Sequence, residues 1–278
     1  MLFCRERVED MIKNKIWIRG AGDLATGIAL KFFRSGFKVT MSDIAMPTTV
    51  RRTVAFSPAV YMGETAVEGV LARVCSSISM IDEITDAIPV IVDPSGDIMR
   101  EYKPDVIIDA IIAKKNINTS INDAKIVIGV GPGFEAEVDC HAVVETQRGH
   151  DLGRVLWKGR AVENTGVPGN IGGYTVERII RASDDGKFKP EVSIGDNVNA
   201  GDIVAYCDDT PVYASISGIV RGLLQEGVVV KTGMKSGDID PRAKKEYCFT
   251  VSDKANAIGG GVLEAVLSLI NNSNHRVL

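Results

Sequence analysis

Ile16-Trp17-Ile18-Arg19-Gly20-Ala21-Gly22-Asp23-Leu24-Ala25 is the stretch on which the fold of this chain turns. Its first half is a short apolar strand that stops at a glycine. Its second half opens a helix over residues 24–35. There Leu24, Ile28 and Phe32, and again Ala25, Ala29 and Phe33, recur four apart and build one broad apolar face. Gly36 stands where a glycine ends a helix. Residues 38–42 form the next strand, which closes at Asp43. Strand, glycine turn, helix and strand in this order open a parallel α/β sheet.

The turn Gly20-x-Gly22-x-x-Ala25 fits the G-x-G-x-x-G/A pattern. The first glycine makes the tight turn, the second lets backbone N–H groups approach a phosphate, and the small third residue lets helix and strand close on each other. Asp43 follows Gly20 by 23 residues, at a strand end where a carboxylate accepts from a ribose hydroxyl. Arg51 and Arg52 come next and offer charge to a phosphate further out. Asp23 works the other way: at the helix start its carboxylate caps free N–H groups and repels a pyrophosphate. Two readings stand. One is a nucleotide site of Gly20, Gly22, Asp23, Asp43, Arg51 and Arg52; the other is a purely structural turn in a Rossmann-like fold.

Outward from the turn, apolar runs at 88–92, 106–112 and 126–130 are near-continuous, as in strands covered on both faces. Helical stretches near 81–87 and 97–102 separate some of them, while 53–61 and 67–75 read as an antiparallel excursion. Residues 1–130 are therefore expected to form a Rossmann-like parallel sheet domain. In such sheets the strand carboxyl ends line the ligand crevice. That places Lys114, Lys115, Asn116, Gly131 and Gly133 there as candidates, beside Asp93. Asp109 lies within an apolar strand, where a buried charge must be paired; Arg19 or a lysine is the expected partner.

Residues 131–173 are polar and glycine-rich. Glu145, Arg148 and His150 read as a substrate- or partner-facing loop that extends the crevice. Cys140, His141, Glu145 and His150 invite a metal reading, but the spacing opposes it. On a strand over 139–146, His141 and Glu145 lie about 13 Å apart along one face and Cys140 points to the other. No metal site is expected.

Residues 190–240 are short strands with turn glycines, in two halves that echo each other, Ile194-Gly195-Asp196 onward and Gly227-Val228-Val229 onward. The pattern resembles the flattened β-barrel of biotinyl and lipoyl carriers. Its expected hairpin, 206–212, holds no lysine, so neither biotin nor lipoate is expected. Helices at 174–182 and 262–270, the second opening on Gly259-Gly260-Gly261, would bracket this barrel. A glycine run at a helix start either binds an anion or permits close packing. The division that follows is 1–130, then 131–185 together with 254–278 as a second α/β segment, and 186–253 as the inserted barrel.

Composition narrows the function. Lys+Arg is 32 against 36 Asp+Glu, a net charge of −4 that speaks against a non-specific nucleic-acid binder. No apolar run reaches the roughly 18 residues of a membrane span. Residues 1–7 lack the basic start and apolar stretch of a signal peptide. Cys4, Cys75, Cys140, Cys207 and Cys248 are odd in number, scattered and without a C-x-x-C pair, which fits reduced thiols and a cytoplasmic location.

Taken in order, Arg19-Gly20-Ala21-Gly22-Asp23-Leu24-Ala25-Thr26-Gly27, Gly131-Pro132-Gly133-Phe134, residues 145–150, 237–242 and 252–264 resemble the YqeB family. The resemblance runs through nearly the whole chain. It implies an accessory role in the selenium-dependent molybdenum hydroxylase system, in the maturation of relatives of xanthine dehydrogenase and purine hydroxylase. The partners it implies are the hydroxylase or its cofactor-assembly proteins. It brings no catalytic residue with it. The glycine turn suits NAD(P) or a pterin dinucleotide. An NAD(P)-dependent oxidoreductase and a non-catalytic scaffold are the two alternatives.

Overall fold

The computed structural model describes residues 10–275; the 1–7 stretch and Cys4 lie outside them. The chain is a mixed α/β protein of two compact units. One comprises Met1–Ala45, Phe56–Asn164 and Ser252–Leu278, the other Met46–Ala55 and Thr165–Val251. The ten residues of Met46–Ala55, which the sequence reading keeps in 1–130, thus belong with the second unit.

The first unit is built on strands β1 (Lys15–Arg19), β2 (Lys38–Asp43), β3 (Glu64–Val67), β4 (Val70–Cys75), β5 (Ile88–Val92), β6 (Val106–Asp109) and β7 (Ile126–Val130). The short strands β8 (Glu135–Ala136), β9 (Ala142–Val144), β10 (Val155–Leu156) and β11 (Gly159–Arg160) follow. Nine of them form one sheet in the order β10-β9-β7-β6-β1-β2-β5-β4-β3. From β9 to β4 every neighbouring pair is parallel, while β10 and β3 run antiparallel at the two edges. The all-buried runs of β6 and β7 explain their unbroken apolar sequences. Pro89 is tolerated in β5 because the ladder to β2 begins only at Val90.

Helix α1 (Asp23–Arg34) connects β1 to β2 and ends as expected, with Gly36 at φ +89° and its N–H on the Phe33 carbonyl. It packs on a long helix, Asp253–His275. Gly259, Gly260 and Gly261 lie inside this helix, not at its start. A Cβ at Gly27 would stand 2.8 Å from that of Ala255, and one at Gly259 would stand 2.9 Å from the Gly27 carbonyl oxygen. A Cβ at Gly261 would overlap the Gly153 carbonyl. Gly259 and Gly261 are there for close packing, while Gly260 faces open space. The expected excursion at 53–61 and 67–75 becomes a short helix, Ala59–Met62, and the β3–β4 hairpin.

In the second unit the helix expected at 174–182 is replaced by a 3-10 turn, Val176–Arg178, and strand β12 (Ile179–Arg181). It is followed by β13 (Gly186–Pro190), β14 (Asn197–Val198), β15 (Ile203–Cys207), β16 (Thr210–Tyr213), β17 (Gly218–Leu223), β18 (Val229–Val230) and β19 (Lys235–Asp240). No closed barrel forms among the described residues. The strands make two four-stranded sheets, β12-β19-β17-β14 and β16-β15-β13-β18. The internal echo is nevertheless visible in the pairing. β13 pairs with β15 as β17 pairs with β19, and each half lends a two-residue strand to the other, β14 to β17 and β18 to β13. Phe188, Val204, Val220, Leu223, Val230 and Ile239 fill the core between them. No helix among the described residues is long and apolar enough to cross a membrane.

Candidate functional site

The centre of the large sheet is β1, with β2 on one side and β6 on the other. Because the chain builds outward from β1 in both directions, the carboxyl end of β1 is the point where the strand order reverses. In open α/β sheets that crevice is where ligands bind. Gly20, Ala21 and Gly22 occupy it.

Gly20 is obligatory for backbone reasons. Its φ is +93°, and a Cβ would stand 2.8 Å from the Ala110 carbonyl oxygen. Its N–H donates to the Ser42 carbonyl at 2.7 Å, joining the turn to the end of β2. Gly22 is different. It is the N-cap of α1 with φ −69° and ψ −178°, a conformation open to any residue, and as a glycine it brings no capping side chain. Such an N-terminus presents N–H groups and the positive end of the helix dipole to the crevice. Asp23 lies in the first turn of α1.

Asp43 closes β2 beside this turn. One carboxylate oxygen accepts from the Ala21 N–H at 2.9 Å and the other from the Ile44 N–H at 2.8 Å. Burial pushes its carboxyl above the ordinary range, against the pull of the Ile44 and Ala21 donors. The segment after residue 55 folds onto the same place: Ser57 N–H donates to the Ala21 carbonyl at 2.8 Å, and Phe56 N–H to the Thr26 hydroxyl at 2.9 Å. Gly20, Gly22, Asp23 and Asp43 are therefore brought together.

Arg51 and Arg52 belong to the second unit. Arg51 donates to the Tyr247 and Thr250 carbonyls at 3.0 and 3.3 Å. Arg52 donates to the Leu223 carbonyl at 2.7 Å and to Gln225 at 2.8 Å.

Beyond β6 the crevice wall is a strained loop. Ile112 and Lys114 have φ of +59° and +64°. For a β-branched residue that conformation costs on the order of 1–3 kcal/mol, and such outliers gather at ligand-binding loops. Lys114 and Lys115 are exposed. Asn116 is engaged: its amide donates to the Thr119 carbonyl at 2.8 Å and to Asp139 at 3.2 Å, and its oxygen accepts from Thr119 N–H at 2.9 Å. Gly133 permits a close approach, since a Cβ there would stand 2.5 Å from Lys115 Cα. Gly131 fits under Thr146, whose hydroxyl would lie 2.8 Å from a Cβ at that position.

Glu145, 3 % exposed, accepts from three backbone N–H groups, those of Thr146, Gln147 and Val162, at 2.7, 2.7 and 2.8 Å. It organises its own loop. Arg148 makes a two-pronged contact with Asp253 at the start of the long helix, 2.6 and 3.1 Å. His150 is exposed. His141 accepts from the Val127 N–H through Nδ1 at 3.0 Å, and burial lowers its pKa. Burial pushes the Cys140 thiol up to about 12 and the Cys75 thiol to about 11, so neither supplies a thiolate near neutrality. Among the described residues no three His, Cys, Asp or Glu side chains are grouped to hold a metal ion.

The site feature that sequence reasoning named without placing is the Arg19–Asp109 pair. It lies under the crevice floor with side chains 2 % and 3 % exposed. Arg19 donates to Asp109 at 3.2 Å, to Asn118 at 2.6 Å and to the Thr119 hydroxyl; Thr119 in turn donates to Asp109 at 2.6 Å. The loop of Asn118 and Thr119 is thereby fastened to the central strands.

No family model matches the chain. Over 256 residues it is 50 % identical to a protein of Escherichia coli (strain K12) described as "Uncharacterized protein YqeB". The match takes in 91 % of this chain and 47 % of that protein, so the chain spans about half the length of this curated relative. The likeness supports the resemblance to the YqeB family. Among solved structures, an aspartoacylase family protein from Mesorhizobium loti is 20 % identical, covering 32 % of this chain and 29 % of its own, at a TM-score of 0.22. A structure described as TcdA (CsdL) is 13 % identical, covering 99 % and 93 %, at a TM-score of 0.36. Likenesses at these scores leave fold and function to be argued from the residues of the chain itself.

Proposed function

We propose that the chain is an accessory protein in the maturation of a selenium-dependent molybdenum hydroxylase, and that its Rossmann-like unit binds a nucleotide or a nucleotide-bearing cofactor at Gly20–Ala25. The observation that carries the ligand half of this reading is the glycine N-cap of α1 at the reversal of strand order, with the Asp43 carboxylate 2.9 Å from Ala21 N. In this reading the N–H groups of the turn receive a phosphate. Asp43 accepts from a ribose hydroxyl with the lone pairs its two backbone donors leave free. Ile44 and Ile111, 43 % and 37 % exposed, offer apolar surface to a base or pterin ring. NAD(P) and a pterin dinucleotide both suit this description. The maturation half rests on the role that the resemblance to the YqeB family implies. The hydroxylase or its cofactor-assembly proteins are the partners, and the cytoplasm is the location.

The runner-up, an NAD(P)-dependent oxidoreductase, is favoured by the position of Asp43 at the end of β2. Turnover of reduced nicotinamide by the purified protein separates it from the first reading. A scaffold role gains support from the two backbone donors on Asp43, which give that carboxylate structural work.

The experiment is a deletion in the native host. The hydroxylase polypeptide accumulates without activity, while a selenium-independent molybdenum enzyme in the same cell stays active. Complementation with Gly22→Val fails if ligand binding is part of the role and succeeds if the chain is a scaffold. Full hydroxylase activity in the deletion strain would sink the maturation reading.

A further inference from the structure

Away from the glycine turn, the second unit holds a buried cluster of charge. β19 turns Ile239 into the core and presents Asp238 and Asp240, 4 % and 1 % exposed, on its other face. Arg178, in the turn before β12, pairs with one Asp238 oxygen and donates to the Gly169 carbonyl at 3.3 Å. Arg221 is the extra residue of a bulge in β17: Val220 pairs with Ile239 and Gly222 with Asp238, leaving Arg221 between them. Bulges of this kind re-aim a side chain. Here the Arg221 Nη1 lies 3.8 Å from both Asp238 and Asp240, beyond hydrogen-bond reach. Arg242 grips Asp240 with two donors, at 2.9 and 2.6 Å, and stacks on Tyr247 with 4.6 Å to the ring centroid.

Two features of this cluster are unusual for a self-contained ion-pair network. Arg178 and Arg221 are each 7 % exposed, and the Nε–H of each has no hydrogen-bond partner. A buried donor left unmet keeps its full desolvation penalty, so two on guanidinium groups that both face Asp238 call for an acceptor. Charge points the same way. Burial is the first cause of the lowered Arg221 pKa, and the charge of Arg51 is the second. An anion beside the Arg221 guanidinium would offset both.

We infer that Arg178 and Arg221 form a binding site for a small oxyanion of the phosphate class, carried free or as a phosphate monoester. The Nε–H of each arginine donates to an oxygen of the anion, and the forked geometry of guanidinium suits a tetrahedral oxyanion better than a single-point cation would. Arg242, with a side chain 41 % exposed over the fully buried Asp240 side chain, is where the cluster meets solvent and where the anion enters. Asp238 and Asp240 hold the guanidinium groups in place and set a limit on affinity through their own negative charge. This site uses no residue of the glycine turn and stands or falls independently of it.

The test reads the donors directly. Arginine Nε–Hε correlation spectra are recorded on the full chain during titration with inorganic phosphate, methyl phosphate and acetate at constant ionic strength. The Hε resonances of Arg178 and Arg221, assigned through Arg178→Lys and Arg221→Lys, move downfield and saturate with phosphate or methyl phosphate, and that of Arg181 stays put. Whichever of the two saturates at lower concentration identifies the free ion or the monoester as the natural ligand. Arg221→Gln weakens phosphate binding at least tenfold by calorimetry, and Arg181→Gln leaves it unchanged. Should Arg221→Gln not fold, the wild-type titration decides alone. Absence of a saturable shift at Arg178 and Arg221, or saturation with acetate but not with phosphate, overturns the assignment.

Discussion

Arg19 and Asp109 are register partners on the neighbouring parallel strands β1 and β6, and they form an ion pair whose side chains are 2 % and 3 % exposed. The pair stands at the strand ends directly before the glycine turn and the strained loop. Removing one partner strands the other's charge in the interior, which typically costs 3–5 kcal/mol. Asp109→Ala is expected to lose about 4 kcal/mol in urea unfolding. The double substitution Arg19→Met with Asp109→Leu recovers most of that loss. If Asp109→Ala loses less than about 1 kcal/mol, the pair is not what fastens the loop.

The two glycines of the turn are expected to separate. Gly20→Ala forces a Cβ onto the Ala110 carbonyl at a φ of +93° and costs about 3 kcal/mol. Gly22→Val keeps an ordinary backbone and costs about 1 kcal/mol as a poorer N-cap. Thermal unfolding of the two variants checks the order.

Much of this unit is legible in the sequence because its elements are locally determined. The apolar runs place β1, β5 and β7, the stretch closing at Asp43 places β2, and Gly36 places the end of α1. The helix expected at 97–102 is found at Asp97–Tyr102. What failed has a physical cause in each case. The run 106–112 ends as strand at Asp109 because the chain turns into the Ile112 and Lys114 conformations, which no local pattern announces. The glycines at 259–261 look like a helix start, yet they lie within the helix where Gly27 and Gly153 press on it, a tertiary demand. The carbonyls of residues 223, 247 and 250 that accept from Arg51 and Arg52 are partners that sequence proximity does not reveal. Glu145 ties a knot of backbone hydrogen bonds with Thr146, Gln147 and Val162, which no sequence pattern announces.

That knot is open to test. A glutamine at 145 has one acceptor oxygen where the carboxylate uses two, so the N–H of Val162 or those of Thr146 and Gln147 lose their acceptor. Glu145→Gln is expected to cost about 2 kcal/mol. Amide exchange then speeds up at these three positions ahead of the sheet. Unchanged exchange there would show that the loop holds without the carboxylate.

The pH dependence of Asp43 has a definite sign. Its folded pKa is raised, first by burial. A raised carboxyl favours the folded state below the unfolded value of about 3.9, and that contribution is lost as pH climbs through the folded pKa. The carboxyl carbon of Asp43 should therefore titrate above the ordinary aspartate range in NMR. The stability of wild type relative to Asp43→Asn should fall over the same interval. A midpoint below the ordinary value would reverse the sign and remove burial as the leading cause.

The central claim is that the turn at Gly20–Ala25 holds the phosphate of a nucleotide-bearing ligand, and isothermal calorimetry on the purified chain tests it most directly. NAD, NADP, ATP, CTP and pterin dinucleotides are titrated into wild type and into Gly22→Val, whose fold is verified by its unfolding curve. The account predicts saturable binding of at least one of them to wild type and a loss of at least tenfold, about 1.4 kcal/mol, in Gly22→Val. Binding of none of them, or equal binding by a folded Gly22→Val, would contradict it and leave Asp43 and the glycines as a purely structural joint between β1, β2 and α1.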